Sequence, residues 1–221
     1  MKFVPVEWSV EGWKRAAELV FREKPAYIYL QAPDKFQDLI NRFIRGLIPW
    51  ERFLDQIAKR TGTPSPEIDP KTAWVHVVKM ARNTTTPLIA VEPDLDKVLK
   101  SVEKKLTVKD KKKTLHEARL WYLGREGFLK RLISFFDFPV RLLRLPPELR
   151  TMWIGFWMNV YGVIVNVIPG DQRDFVAAVA LADTEIARII AQRLSKLEDG
   201  HAFIDRWYCD RTRDAFLEHE R

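Results

Sequence analysis

Phosphate-cradling glycine loops are missing from this chain. It has 9 glycines in 221 residues and contains neither a GxGxxG turn nor a Walker A lysine, which excludes the two commonest nucleotide-binding loops. HExxH, GxSxG and the protein-kinase signature are also lacking. Cysteine is almost lacking. Cys209 stands alone, so there is no intramolecular disulfide and no cysteine-based zinc centre, and a reducing, cytoplasmic setting is expected. Histidine is scarce too: His76, His116, His201 and His219 share no metal-ligand spacing. The opening residues MKFVPVEWSVEGWKR have no long apolar stretch and carry acids early, so no secretory signal is expected.

What is present describes a folded chain. It is 47% hydrophobic and 30% charged, which is globular rather than disordered, and its length suits one domain with one sizeable core. Eight tryptophans give large side chains for that core or for an interface. Abundant Lys, Arg and Glu with few Asn and Gln resembles the composition of hyperthermophile proteins. The net charge of +7 is concentrated in KVLKSVEKKLTVKDKKK, residues 97–113, where eight lysines face only Glu103 and Asp110. Lys104, Lys105, Lys109, Lys111, Lys112 and Lys113 are therefore candidates for binding nucleic-acid phosphates or other anions. A solvated helix and turn is the plainer account. With no aromatic side chain in the run to stack a base, such binding would follow backbone charge and depend steeply on salt.

Periodicity predicts alternating strands and helices. Phe3 to Val6 reads as a strand, followed by a Ser9-capped helix from Val10 to Glu23 with Trp13, Ala16, Ala17, Val20 and Phe21 inward. Ala26 to Leu30 reads as a second strand. A helix capped by Asp34 then carries Phe36, Leu39, Ile40, Phe43, Ile44 and Leu47, and Pro49 interrupts it before another helix through Lys59. TGTPSPEIDP is a loop, and Trp74 to Met80 is helical. Leu88 to Val91 is a third strand, and residues 114–136 read as one long helix. FVAAVALAD, 175–183, reads as a strand ended by Asp183, with a helix from Thr184 to Leu197 and a last charged helix after Gly200. TMWIGFWMNVYGVIVNVIPG, 151–170, is free of charge and long enough for a membrane span. Its Asn159 and Asn166, its interior glycines and the lack of a second such segment favour a helix buried in the protein, with a membrane-surface-associated or oligomer-forming helix as the alternative. These elements predict an α/β domain over residues 1–221, with a small, mostly parallel sheet, many helices and a helical insertion at about 97–170.

Two strands end alike, in polar residue, proline and aspartate: LQAPD and VEPD. That outline puts Gln31, Asp34, Glu92 and Asp94 on the carboxyl edge of the sheet, where ligands sit in open α/β folds. Asp34 and Asp94 also suit plain helix caps. Glu92, Asp94 and Asp183 offer hard oxygen ligands for a divalent ion, and Glu7, after the first strand, is the nearest further acid.

FVPVEWSVEGWKRAAELVFREKPAYIYLQAPDKFQDLI resembles the opening of the ChaN-like, TraB-like and erythromycin-esterase-like superfamily, closest to a ChaN-like branch in which the second strand ends in Glu-Gly-Pro. GREGFLKRL, 124–132, is similar to the family's Arg-Glu-containing helix, and FVAAVALADTEIARII to its late strand. The resemblance implies an α/β fold whose site uses Glu and His as metal ligands or acid–base groups, often within multi-protein systems. This chain departs from that pattern at each place. Gln31 stands where the family has Glu, Glu7-Trp8 where the first His belongs, and Asp183-Thr184 where the late His belongs. Gln keeps shape and hydrogen bonds but loses charge and proton exchange.

The expectation is therefore a non-catalytic scaffold, cytoplasmic and without a cofactor, that binds a protein partner or itself. Trp153, Phe156, Trp157 and Tyr161 are the candidate interface residues. Two alternatives stand beside it: a nucleic-acid-binding protein using the lysine run, and a metal-dependent hydrolase with catalytic candidates Glu7, Gln31, Glu92 and Asp183.

Overall fold

The structure is a computed structural model and describes residues 1–108, 110–122 and 170–219. Four strands, β1 (Lys2–Val6), β2 (Ile28–Pro33), β3 (Leu88–Glu92) and β4 (His201–Asp205), form one all-parallel sheet in the order β1-β4-β2-β3. The helices are α1 (Val10–Glu23), α2 (Gln37–Ile44), α3 (Trp50–Thr61), α4 (Val75–Asn83), α5 (Leu95–Lys105), α6 (Lys111–Tyr122), α7 (Gly170–Leu194) and α8 (Arg206–His219). The fold is α/β, as expected. Two compact units are present, one of residues 1–98 with 183–221 and one of residues 99–182. Residues 151–169 of the charge-free segment, with Trp153, Phe156, Trp157 and Tyr161, lie outside the described residues, as do GREGFLKRL and Lys109. Among the described residues no helix is long and apolar enough to cross a membrane.

In the first unit the strands are short apolar runs because both faces of the sheet are covered. The face carrying Val6, Leu30, Ala90 and Phe203 lies on a core built with α1 to α4, around Trp13, Phe36, Phe43, Phe53 and Trp74. Phe43, Trp50 and Phe53 form an aromatic knot with centroids 4.8–5.5 Å apart. Each buried side chain of this size contributes about 2–3 kcal/mol. The opposite face receives α8, whose Phe216 meets Phe3 edge-on at 5.4 Å. The outer strand β3 is protected by Gln37, whose amide holds the Leu88 carbonyl at 3.0 Å and the Ala90 N–H at 2.6 Å. An edge strand left open would invite pairing with another chain.

Local signals explain α1. Ser9 Oγ accepts from the Gly12 N–H at 2.9 Å, and Lys24 ends the helix in a left-handed turn (φ 44°) before Pro25. Gly12 is required for packing, since a Cβ there would meet the Glu7 carbonyl oxygen at 2.3 Å. The buried stripe stops at Val20. Phe21, expected inside, is 59% exposed at the head of a fully exposed last turn. Leu47 is likewise exposed, because α2 ends at Ile44 before reaching it.

Three expectations need correction. FVAAVALAD is not a strand but part of α7. Its exposed positions, Ala177, Ala180, Thr184 and Arg188, recur every three or four residues, and four alanines in nine residues favour a helix. Asp183 therefore ends no strand. The segment after Gly200 is not wholly helical, since His201–Asp205 forms β4 in the interior of the sheet before α8 begins. Asp34 caps no helix by its side chain. It opens a 3-10 turn (Asp34–Phe36) and binds Arg193 instead.

Candidate functional site at the carboxyl edge of the sheet

β2 is irregular where it reaches the edge. Leu30 pairs with Ala90 and Pro33 with Glu92, so Gln31 and Ala32 together oppose Val91 alone. Leu30 and Ala32 stay on the core face through this irregularity, so Gln31, between them, points to the other face. The chain leaves β2 towards the α1–α4 face and leaves β4 towards the α8 face, so a crevice is expected between these neighbours. Gln31 and Asp205 occupy it. The buried Gln31 Oε1 accepts from the Asp205 N–H at 2.8 Å, which ties the end of β2 to the end of β4.

The acids around it fall into two groups. Four are held by other parts of the fold. Asp34 accepts from Arg193 at 2.8 Å, and the same guanidinium reaches the Val91 carbonyl at 3.1 Å. Asp183 accepts from Trp207 Nε1 at 3.0 Å and from the Tyr208 hydroxyl at 2.9 Å, with Arg211 at 4.0 Å. Asp94 caps α5 by accepting from the Asp96 N–H at 2.8 Å. Glu7 is exposed and 3.6 Å from Arg15, and its backbone carbonyl takes the Ser9 N–H at 2.7 Å.

Glu92 and Asp205 form the second group. The Glu92 carboxyl is crowded by protein, which pushes its pKa up to about 7; hydrogen bonding from Gln31 opposes the rise and the nearby Asp205 and Asp34 carboxylates add to it. Burial raises Asp205 to about 6, opposed by the Trp207 N–H that its Oδ1 accepts at 2.7 Å and assisted by Asp183. Two carboxyls with offset pKa values near neutrality can hold and release protons.

Among the described residues no histidine joins this pair. His76 Nε2 lies 2.9 Å from the Glu67 carbonyl oxygen, and His201 stands at the amino end of β4, the far end from Asp205. His116 and His219 are exposed. The expected ion ligands Glu92, Asp94 and Asp183 do not gather. Among the described residues no three His, Cys, Asp or Glu side chains converge on a metal position. Cys209 is buried and its thiol is pushed up to about 11, mainly by desolvation, so it is inert near neutral pH.

Sequence reasoning placed Gln31 and Glu92 at this edge but missed Asp205, Arg193 and Trp207. The strand that delivers Asp205 is only five residues long, and its one signal is the apolar run Ala202-Phe203-Ile204 between Gly200 and Asp205. A row of exposed aromatics was also missed. Val6 pairs with Asp205 in register, and two residues beyond each stand Trp8 and Trp207, 49% and 65% exposed. The Arg211 guanidinium lies 5.6 Å from the Trp207 ring centre. Neither protein-family models nor the curated proteins match this chain.

Proposed function

We propose that this protein is a non-catalytic α/β scaffold of ChaN-like descent that works by associating with protein, a second copy of itself being the first partner to test, and that the carboxyl edge of its sheet is the contact face. One observation supports the reading: Gln31, Asp34, Asp183 and Asp205 at the edge are each hydrogen-bonded to groups of the fold itself. Gln31, where the resembled family carries Glu, serves as a fixed link between strands. The exposed aromatics support a contact role. Trp207 is anchored through Nε1 and backed by Arg211, yet its ring faces solvent. A pre-ordered tryptophan beside arginine is the composition of an interface hot spot and loses little entropy on binding.

The test is the mass of the chain across concentrations by light scattering, for wild type and for the Trp8→Ala/Trp207→Ala double variant. A mass that rises with concentration in the wild type and stays monomeric in the variant supports the proposal. A strict monomer at all concentrations removes self-association. A hydrolase is the second reading, favoured by the proton-holding pair Glu92 and Asp205. Stoichiometric divalent metal in the purified chain, lost in Glu92→Gln, would establish that reading over the first.

A further inference from the structure

The lysines of residues 97–113 are gathered by the fold rather than strung along it. On α5, Val98, Leu99 and Val102 are buried, as is Leu106 just after it, while Lys100 and Lys104, one turn apart, are exposed. The chain then turns, and α6 opens with Lys111, Lys112 and Lys113, all exposed. Lys111 Nζ donates to the Glu103 carbonyl at 3.2 Å, which closes the end of α5 and brings the start of α6 beside Lys104 and Lys105. Asp110, one of the two acids in the run, is engaged as a cap, its Oδ1 accepting from the Lys113 N–H at 3.1 Å.

This arrangement works against the helix. The first turn of α6 carries three lysines and no acid, so cations sit at the positive end of the helix dipole, where acids are favoured. A bound polyanion would remove that repulsion. We propose that the α5–α6 turn is a docking surface for the phosphate backbone of nucleic acid, engaged through Lys100, Lys104, Lys111 and Lys112.

Charge complementarity selects a polyanion, and the apolar pattern narrows it further. No large hydrophobic side chain among the described residues of 97–113 is exposed, so the surface has nothing to insert into a bilayer. The segment has no aromatic residue for stacking, so recognition is independent of base sequence. This surface does not depend on the scaffold reading of the sheet edge.

The experiment is fluorescence anisotropy with a labelled duplex and a labelled single strand of mixed sequence, titrated at several salt concentrations. Four phosphate contacts predict a slope of log affinity on log salt near about −3.5 for duplex, which is roughly a hundredfold loss between about 50 and 200 mM salt. Lys104→Glu/Lys112→Glu should reduce the slope by about 2. Arg22→Glu/Lys196→Glu changes net charge equally at exposed positions elsewhere and should leave the slope unchanged. Circular dichroism verifies that both variants stay folded. Three results overturn the proposal: no binding of either probe at low salt, equal loss in both double variants, or sedimentation with phosphatidylserine vesicles that nucleic acid cannot compete away.

Discussion

Replacing Glu92 by glutamine separates the charge of this residue from its shape. The carboxyl rises from 4.5 to about 7 on folding, which corresponds to about 3 kcal/mol at about 1.36 kcal/mol per pH unit. Partial exposure of the residue screens this to roughly 2 kcal/mol. The sign follows from which state keeps the proton. Between pH 4.5 and 7 the unfolded chain ionises at this position while the folded chain does not. The stability that Glu92 contributes is therefore complete below pH 4.5 and lost as pH climbs through 7. Glu92→Gln is neutral throughout, keeps the side-chain length, and can still meet the Gln31 amide. Urea unfolding of wild type and variant at pH 4.5 and pH 8 reads the difference directly. The variant should gain about 2 kcal/mol on the wild type between the two conditions, even if a constant packing offset is present at both. A difference that does not change with pH would refute the account of a desolvated carboxyl at the sheet edge.

Three further outcomes follow from the same geometry. Gln31→Glu places a third carboxyl between Glu92 and Asp205 and removes the amide donor, so the variant should lose about 2–4 kcal/mol at pH 8 and much less at pH 4.5, in urea titrations at both. Gly12→Ala would ordinarily strengthen a helix by about 1 kcal/mol. Here its Cβ would meet the Glu7 backbone oxygen at 2.3 Å, so thermal unfolding should show a net loss of about 1–3 kcal/mol. Ser9→Ala removes the cap on the Gly12 N–H and should cost about 1 kcal/mol by the same measurement, independent of pH.

The amino-acid sequence by itself determined the local elements wherever a start or stop residue accompanied a clear period. Ser9 and Pro25 bracket α1, the proline-rich TGTPSPEIDP follows α3, and β3 is read from Leu88 to Val91 with its acid at the end. It also put Gln31 and Glu92 at one edge of a parallel sheet, because strand–helix alternation fixes which ends of the strands share a side. It misread residues 175–183, since an apolar run buried in the fold carries no periodic contrast until one knows which positions are exposed. Tertiary structure alone decided the site. Asp205 reaches Gln31 from 174 residues away only because β4 inserts between β1 and β2. The raised pKa values of Glu92 and Asp205 come mainly from burial, with neighbouring carboxylates adding to it, and no local pattern encodes either. The pairing of Arg193 with Asp34 and of Trp207 with Asp183 is likewise tertiary. Backbone propensity and amphipathic spacing are written in neighbouring residues, whereas the charge state and hydrogen-bond partners of a group are set by whatever the folded chain brings beside it.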